Sequence, residues 1–183
     1  NRNVGVYEIL LGSLTNNNYE IEYVSNYLTI YKRKLIIIAN SYTKVYGQQM
    51  PLLEVTPYSE EYPQPFAYED SLLSLGVNPQ FNFFDSNDNP VSVNQAAAVG
   101  VYRIMPGGVD LANYEVEYRE GSFEITPRKI RVIARPGSKI YGEDDPSYFE
   151  YSLSGVSGEE QSGLFNDDQL IGELTRQLGE DVG

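Results

Sequence analysis

Two acidic segments contain the residue types that could bind a divalent cation. Residues 85–90 (DSNDNP) place oxygen ligands at the first, third and fifth positions of a calcium-binding loop. The pattern then fails, because Pro90 stands where glycine is required and Ala96 stands where the bidentate glutamate belongs. Residues 143–145 (EDD) are denser in charge, but the following Pro146 is typical of a turn. We interpret both as polar turns and predict no metal site and no cofactor, with weak calcium binding at 143–145 as the alternative.

The composition offers little for catalysis. The chain has no histidine and no cysteine, which excludes Ser-His-Asp and Cys-His nucleophiles, disulfides and zinc-thiolate sites. Nothing distinguishes any pair of its 26 acidic residues from surface charge. We therefore predict that the chain is not an enzyme and assign no catalytic residue. Lys44 and Lys139 could form Lys–Asn cross-links of the kind found in bacterial surface stalks, but we interpret both as ordinary lysines at strand ends.

The net charge narrows the range of partners. The formal charge is −13, which repels phosphate backbones and anionic membranes. We therefore predict no nucleic-acid binding and no membrane contact. No apolar run approaches the ~20 residues that a membrane-spanning helix needs. We interpret the charge as a source of solubility and of repulsion along an extended chain.

The segments around these residues repeat at a spacing of 95. Four separated blocks keep this offset: residues 4–7 and 99–102, 18–23 and 113–118, 33–35 and 128–130, and 44–47 and 139–142. Near the end, Val182-Gly183 aligns with Val99-Gly100 at an offset of only 83, so the second copy is 12 residues shorter. A tandem repeat favours a structural or binding protein, because repetition supplies reach or multiplicity rather than one chemical site.

The repeated blocks have the patterns of β-strands. Residues 19–23 and 114–118 alternate apolar and polar side chains, and a turn and a second alternating run follow each. We therefore predict a β-hairpin closing each copy, with its glutamates on a solvated face. Residues 35–39 are continuously apolar and predict a buried strand, whereas residues 130–134 alternate and predict a wetter one. Residues 69–75, ended by Gly76, predict a short helix.

An insert and two junctions complete the organisation. Residues 54–94 are rich in proline and predict a loop-rich insert, where we expect any ligand recognition to lie. Exposed members of the 16 tyrosines could stack on sugar rings. Residues 32–34 (KRK) and 127–129 (PRK) are all that separates each predicted hairpin from the next strand. Because no flexible linker is present, we predict a stiff rod, and we interpret the basic triplet as a polar junction rather than a binding patch.

Residues 139–146 (KIYGEDDP) resemble the KVYGDxDP opening of MBG/YGX-type repeat domains, which occur in tandem in large bacterial surface adhesins. The similarity continues at residues 149–156, 170–176, 179–183, 100–104, 113–118 and 123–127, and so covers almost the whole chain. The first copy departs from the pattern at residues 48–51 (QQMP), which lack the acidic residues before proline, and in the insert. Any function that the insert carries is therefore not inherited from the family.

The resemblance implies a mainly β fold of tandem small β domains arranged end to end. We expect a β-grasp-like unit with a short helix, and an Ig-like β-sandwich is the alternative. The implied units are 1–33 (the C-terminal part of a unit), 34–127 (a complete unit with the insert 54–94) and 128–183 (the N-terminal part of a further unit). Because the two partial units are complementary halves, we predict head-to-tail or strand-swapped self-association.

The function implied by the resemblance is structural. We expect a stalk or spacer of a bacterial adhesin, at the cell surface or secreted, that projects an adhesive region from the cell. The alternative is that the repeats themselves are a multivalent binding module for mucin glycans or a host surface protein.

Overall fold

The computed structural model of the chain describes residues 3–179. Within that range it is mainly β, as predicted, and contains no helix. Accordingly, this part of the chain has no helix that could cross a membrane. The predicted match of residues 179–183 to the family pattern falls almost wholly outside the described residues. The strands are β1 (Gly5–Ile9), β2 (Asn26–Ile30), β3 (Arg33–Ala39), β4 (Tyr42–Val45), β5 (Val55–Tyr58), β6 (Gln80–Phe84), β7 (Pro90–Val91), β8 (Gly100–Gly107), β9 (Tyr114–Arg119), β10 (Gly121–Thr126), β11 (Arg131–Ala134) and β12 (Tyr151–Ser154).

The strands form four sheets. β3 lies between β5, which is antiparallel to it, and β9, which is parallel to it. A five-stranded sheet has the order β4-β10-β8-β6-β7, and β4 and β10 are parallel neighbours in it. β1 pairs with β2 and β11 pairs with β12, each time antiparallel. β3 is therefore the strand that brings distant parts of the sequence together.

The chain divides into two compact units. Unit 1 contains Asn1–Ser41, Leu52–Val91 and Arg103–Ser122, and unit 2 contains Tyr42–Pro51, Ser92–Tyr102 and Phe123–Gly183. This division does not follow the repeat units 1–33, 34–127 and 128–183, whose boundaries stay a prediction.

Unit 1 has its core along β3. The continuous apolar run predicted a buried strand, and Leu35, Ile36 and Ile37 are all buried, which confirms it. Leu35 and Ile37 pack with Val109, Leu111 and Tyr114, and partly buried residues of the insert surround this cluster. Burying each such aliphatic side chain stabilises the fold by about 1.5–3 kcal/mol.

Unit 2 is organised around the parallel pair of β4 and β10. Phe123 and Ile125 of β10 are buried, and the rings of Tyr42 and Phe123 lie 6.1 Å apart. β11 and β12 form a separate exposed hairpin in this unit, with all four residues of β11 open to solvent. The sequence predicted one wetter face for this strand, but both faces are exposed.

The predicted closing hairpins are wrong in both copies. β9 and β10 follow each other directly, yet they belong to different sheets. The crossing occurs at Gly121, where a Cβ atom would lie only 2.5 Å from the carbonyl oxygen of Ala39, so the backbones approach more closely than a side chain allows. In the first copy, residues 19–23 form no strand, and β2 pairs with β1 instead. Alternation identifies a strand-forming segment, but it does not identify the partner of that segment.

The predicted helix at residues 69–75 is also wrong. Only one helical turn forms, closed by a 3.0 Å hydrogen bond from the Leu75 N–H to the Ser71 carbonyl. The Ser71 and Ser74 side chains each accept a hydrogen bond from the other residue's N–H, and such bonds compete with helix formation. Gly76 does end the turn, with a φ of 68°. Leu72 and Val77 then pack against the core, so the turn fastens the insert to unit 1.

Candidate functional site

Unit 1 contains a cleft of about 1040 Å³ at the connection between β2 and β3, which we call the junction cleft. One side is formed by this connection and the other by the insert. The residues that line the cleft include Tyr31, Lys32, Arg33, Tyr62, Tyr68 and Asp70. The structure therefore brings the basic junction triplet next to the insert, a proximity that the sequence analysis did not predict.

Arg33 fastens the insert to the start of β3. Its Nη2 donates to the Gln64 carbonyl at 2.6 Å, and its Nε donates to the Pro65 carbonyl at 3.1 Å. The guanidinium also lies 3.7 Å from the centroid of the Tyr62 ring. Prolines 63 and 65 have no N–H to donate to a sheet ladder, so carbonyls in their neighbourhood are available to the arginine. A planar guanidinium can satisfy two carbonyls and stack on a ring at once, which a lysine cannot do.

Asn113 adds a second contact at the same place. Its backbone carbonyl accepts a 3.0 Å hydrogen bond from the Arg33 N–H. Its side-chain Oδ1 accepts a 3.0 Å hydrogen bond from the N–H of Val4, just before β1. One residue thus holds the beginnings of both β1 and β3, on either side of the junction.

Tyr114 anchors the floor of the junction cleft. Its ring is buried and makes an edge-on contact with Phe66 at 5.6 Å. Its hydroxyl accepts a hydrogen bond from the Ala67 N–H at 3.0 Å and donates one to Asp70 Oδ2 at 2.7 Å. Burial, followed by the bond to the Asp70 carboxylate, raises the pKa of Tyr114. The hydroxyl therefore stays protonated and holds this part of the insert in place.

Two tyrosines of the junction cleft face solvent. Tyr31 is 81% exposed and Tyr68 is 74% exposed, and Tyr68 has a φ of 55°, which is rare for a non-glycine residue. Both line the cleft together with the carboxylates of Glu69 and Asp70. Exposed aromatic faces beside hydrogen-bonding groups can stack on apolar faces of sugar rings. Tyr68 is thus an exposed tyrosine within the insert, the region where we expected any ligand recognition to lie.

The second junction, in unit 2, repeats the arginine contacts. Arg128 lies 95 residues after Arg33, and it donates to the Ser162 carbonyl at 3.0 Å and to the Gly163 carbonyl at 2.8 Å. It makes two further hydrogen bonds, to Gln161 Oε1 at 3.1 Å and to the Tyr46 carbonyl at 3.3 Å. Both arginines therefore bind two consecutive backbone carbonyls downstream. Sequence reasoning noticed the repeated arginine but missed its role, because backbone carbonyls leave no signature in the sequence.

The neighbouring lysines follow the same rule. Lys34 pairs with Glu61 at 3.3 Å, and Lys129, 95 residues later, pairs with Glu159 at 2.5 Å. These ion pairs are exposed, so each adds little stability by itself. Their recurrence shows that both junctions adopt one arrangement, in which an arginine and a lysine bind the segment that follows β5 in one case and β12 in the other. The interpretation of the basic triplets as polar junctions thus gains a structural basis.

The first copy of the Lys-Val-Tyr-Gly block is tightly packed within unit 2. Lys44 is 2% exposed, and its Nζ donates to the carbonyls of Gln48 and Gln95 at 3.3 and 3.1 Å. Burial lowers the pKa of Lys44. Gly47 has a φ of 80°, and Phe165 leaves no space for a side chain at this position. The buried lysine therefore binds backbone carbonyls, and the structure shows no asparagine side chain among its hydrogen-bond partners.

This motif and the strands that follow it match a family model described as the MBG domain of YGX type, over residues 35–124. Residues 35–124 are an MBG domain. The match begins two residues after Arg33 and ends four residues before Arg128, so it fills the space between the two junctions. No curated protein and no solved structure matches the chain. The MBG family consists of non-catalytic repeats that are typical of extracellular surface proteins.

The second copy of the Lys-Val-Tyr-Gly block, residues 139–142, has a different environment. Lys139 pairs with Asp145 at 2.9 Å, and Arg176 donates to the same carboxylate at 2.7 Å. These two cations, Arg176 first, lower the pKa of Asp145 to about 2. Asp145, one of the three acidic residues at 143–145 that we predicted to form a turn, thus binds two cations. An intact mass short by one ammonia per unit would reveal a Lys–Asn cross-link at either lysine.

The calcium-like segment of the MBG domain closes on itself as a turn. Asp85 Oδ1 accepts hydrogen bonds from the N–H groups of Asn87 and Asn89 at 2.8 and 2.9 Å. These hydrogen bonds lower the pKa of Asp85, and those from Asn89 have the largest effect. Asp88 forms an ion pair with Arg103. Among the described residues, no group of three or more acidic side chains is close enough to hold a metal ion.

Proposed function

We propose that this chain is a spacer segment of a bacterial surface protein, in which tandem MBG repeats are joined by arginine-braced junctions and project an adhesive region. The observation that supports it is the repetition of one brace, at Arg33 and at Arg128. A spacer must keep its direction from one repeat to the next. A junction whose side chains are bonded to the following repeat does so better than a free linker.

Chain length reinforces this argument. Only residues 31 and 32 separate β2 from β3, and residues 127–130 separate β10 from β11. With so little slack, we expect a bend at either junction to strain the hydrogen bonds around its arginine, which at the first junction include the bond from the Val4 N–H to Asn113. Hydrogen bonds to a charged group each contribute about 1.5–3 kcal/mol, so bending is opposed by several times the thermal energy.

A distance measurement across the first junction tests this function. The chain has no cysteine, so Leu14→Cys and Leu52→Cys, both at exposed sites of unit 1, would give one pair of spin labels. We expect a narrow distance distribution that broadens clearly in Arg33→Ala. Lys32→Ala is the matched control, since Lys32 lines the same cleft, and it should leave the width unchanged. A broad parental distribution, or no broadening in Arg33→Ala, would argue against a braced spacer.

A second candidate function is binding of mucin glycans or a host surface protein in the junction cleft. The exposed rings of Tyr31 and Tyr68 favour it. Repetition would convert weak single sites into avidity. The test is saturable binding to immobilised mucin and a glycan panel, with Tyr31→Ala and Tyr68→Ala expected to abolish it. Tyr19→Ala removes an equally exposed ring outside the cleft and should have no effect. Binding no stronger than that of an unrelated acidic β protein would exclude this candidate.

A further inference from the structure

Residues 19–24 are the repeat equivalents of β9, 95 positions earlier, but they form no strand. The contrast in burial is large, because Tyr114 of β9 is 3% exposed whereas its equivalent Tyr19 is 73% exposed. Ile21 and Tyr23, the equivalents of two partly buried core residues, are exposed as well. This segment thus has the sequence of an interior strand without the partner that β9 has.

Among the strands that the structure describes, β11 lacks a neighbour that corresponds to β9. It is the repeat equivalent of β3, which has β5 on one side and β9 on the other. Within residues 3–179, β11 pairs only with β12, which occupies the side that corresponds to β5. The residues of β11 are exposed, including Val132 and Ile133. The edge that corresponds to β9 is therefore open in the described part of the chain.

We infer that two copies of this chain associate by pairing residues 19–24 of one copy, in parallel, with residues 128–133 of the other. The pairing of β3 with β9 supplies the register, because Leu35 lies opposite Val116 and Ile36 lies opposite Glu117. Moving each strand by 95 positions places Ile130 opposite Ile21 and Arg131 opposite Glu22.

The side chains suit this register on both faces of the new sheet. Ile130 and Val132 share one face with Tyr19, Ile21 and Tyr23, in an apolar group like the one around β3. On the other face, two of the three pairs carry opposite charges, Lys129 opposite Glu20 and Arg131 opposite Glu22, and the third is Ile133 opposite Val24. Opposite charges directly across neighbouring strands stabilise a sheet, and like charges destabilise it. Charge complementarity therefore favours a second copy as the occupant of the open edge.

The two surfaces that pair differ from each other, so this association is heterologous. It would build open filaments of many copies rather than closed dimers, unless the rotation between successive copies closes a ring. The inference goes beyond the spacer function and is tested apart from it, because Arg33, the residue replaced in the spacer test, takes no part in the pairing. Failure of one test can therefore be recognised separately from failure of the other.

Sedimentation velocity of the full chain over a range of concentrations tests the inference. We expect concentration-dependent association that Glu22→Lys weakens about tenfold, because an attraction becomes a repulsion. Glu22→Lys combined with Arg131→Glu should restore it, and Glu8→Lys, an equal charge change on exposed β1, should lower it far less. A chain that is monomeric at every concentration, or equal effects of Glu22→Lys and Glu8→Lys, would overturn the inference.

A cysteine cross-link checks the register directly. Chains with Ile21→Cys mixed with chains carrying Ile130→Cys should form disulfide-linked pairs under mild oxidation. Leu10→Cys, also exposed but outside the paired segment, should cross-link to Ile130→Cys much more slowly. Equal rates for the two mixtures would contradict the proposed pairing.

Discussion

Arg33 and Arg128 lie 95 residues apart, and each donates hydrogen bonds to two consecutive backbone carbonyls, which follow β5 in one case and β12 in the other. At each junction the neighbouring lysine adds an ion pair, and at the second the Gly163 N–H also donates to the Lys129 carbonyl at 2.8 Å. This shared geometry is the feature on which the proposed spacer function depends, and it occurs independently in each compact unit.

Replacing Arg33 should destabilise unit 1. Arg33→Ala removes two charge-assisted hydrogen bonds and the contact with Tyr62, and we expect a loss of about 2 kcal/mol in the free energy of unfolding. Arg33→Lys should lose more than half of that amount, because an ammonium cannot reproduce the planar fork. Urea unfolding followed by circular dichroism measures both values. A full rescue by lysine would show that charge alone is needed.

Gly47 should be far less tolerant of substitution than its repeat equivalent Gly142. Both have left-handed backbones, with φ values of 80° and 88°. A Cβ at Gly47 would lie 2.6 Å from Cγ of Phe165, whereas a Cβ at Gly142 would meet no atom within 4 Å. We expect Gly47→Ala to cost about 3 kcal/mol and Gly142→Ala about 1 kcal/mol, from backbone strain alone. Equal losses in thermal unfolding would mean that Phe165 does not pack as described.

Gly121 should be essential for the crossing between sheets. A Cβ there would lie 2.5 Å from the Ala39 carbonyl oxygen and 2.7 Å from that of Asn40, both parts of the backbone that cannot easily move. We expect Gly121→Ala to reduce stability by about 3 kcal/mol or more. Gly107→Ala, at a strand position in the same unit with open space around it, is the control. A difference of less than 1 kcal/mol between them, measured by denaturant unfolding, would contradict this close approach.

Asp145 should titrate well below an ordinary aspartate. Its pKa is lowered from 3.8 to about 2 by Arg176 and Lys139. The stabilising contribution of this carboxylate is therefore fully present above pH 3.8 and is lost as the pH falls through about 2. Carboxyl-carbon NMR would measure the midpoint, and Arg176→Ala should raise it toward 3.8. Arg135→Ala, which removes an ion pair with Glu150, should leave it unchanged. A midpoint near 3.8 in the parental chain would mean that the pairs do not form.

The sequence predicted the elements of this fold better than their partners. A run of β-branched residues was enough to identify β3 as a buried strand. Adjacent side chains of a strand point to opposite faces, so only a strand that is covered on both faces buries so many apolar neighbours. Its partner β9 lies about 80 residues away and parallel, and alternation in β9 contains no information about that pairing. The prediction of a hairpin assumed that neighbours in sequence pair with each other, but the chain crosses to a different sheet at Gly121.

The site was predicted only in outline. The composition of the insert indicated irregular structure, and the part of the insert that lines the junction cleft forms turns and bends rather than strands. The bond between Arg33 and the insert could not be predicted, because its acceptors are main-chain atoms. The helix prediction failed for a related reason, since Ser71 and Ser74 bind main-chain groups that a helix needs.

The most direct test of the central claim is whether the β1–β2 hairpin and the β3–β5–β9 sheet of unit 1 tumble as one body. Backbone N–H residual dipolar couplings from both, measured in a weakly aligned sample, should fit a single alignment tensor in the parental chain. In Arg33→Ala the hairpin couplings should shrink while those of the sheet persist. Two different tensors in the parental chain, or no change in Arg33→Ala, would contradict a junction braced by Arg33.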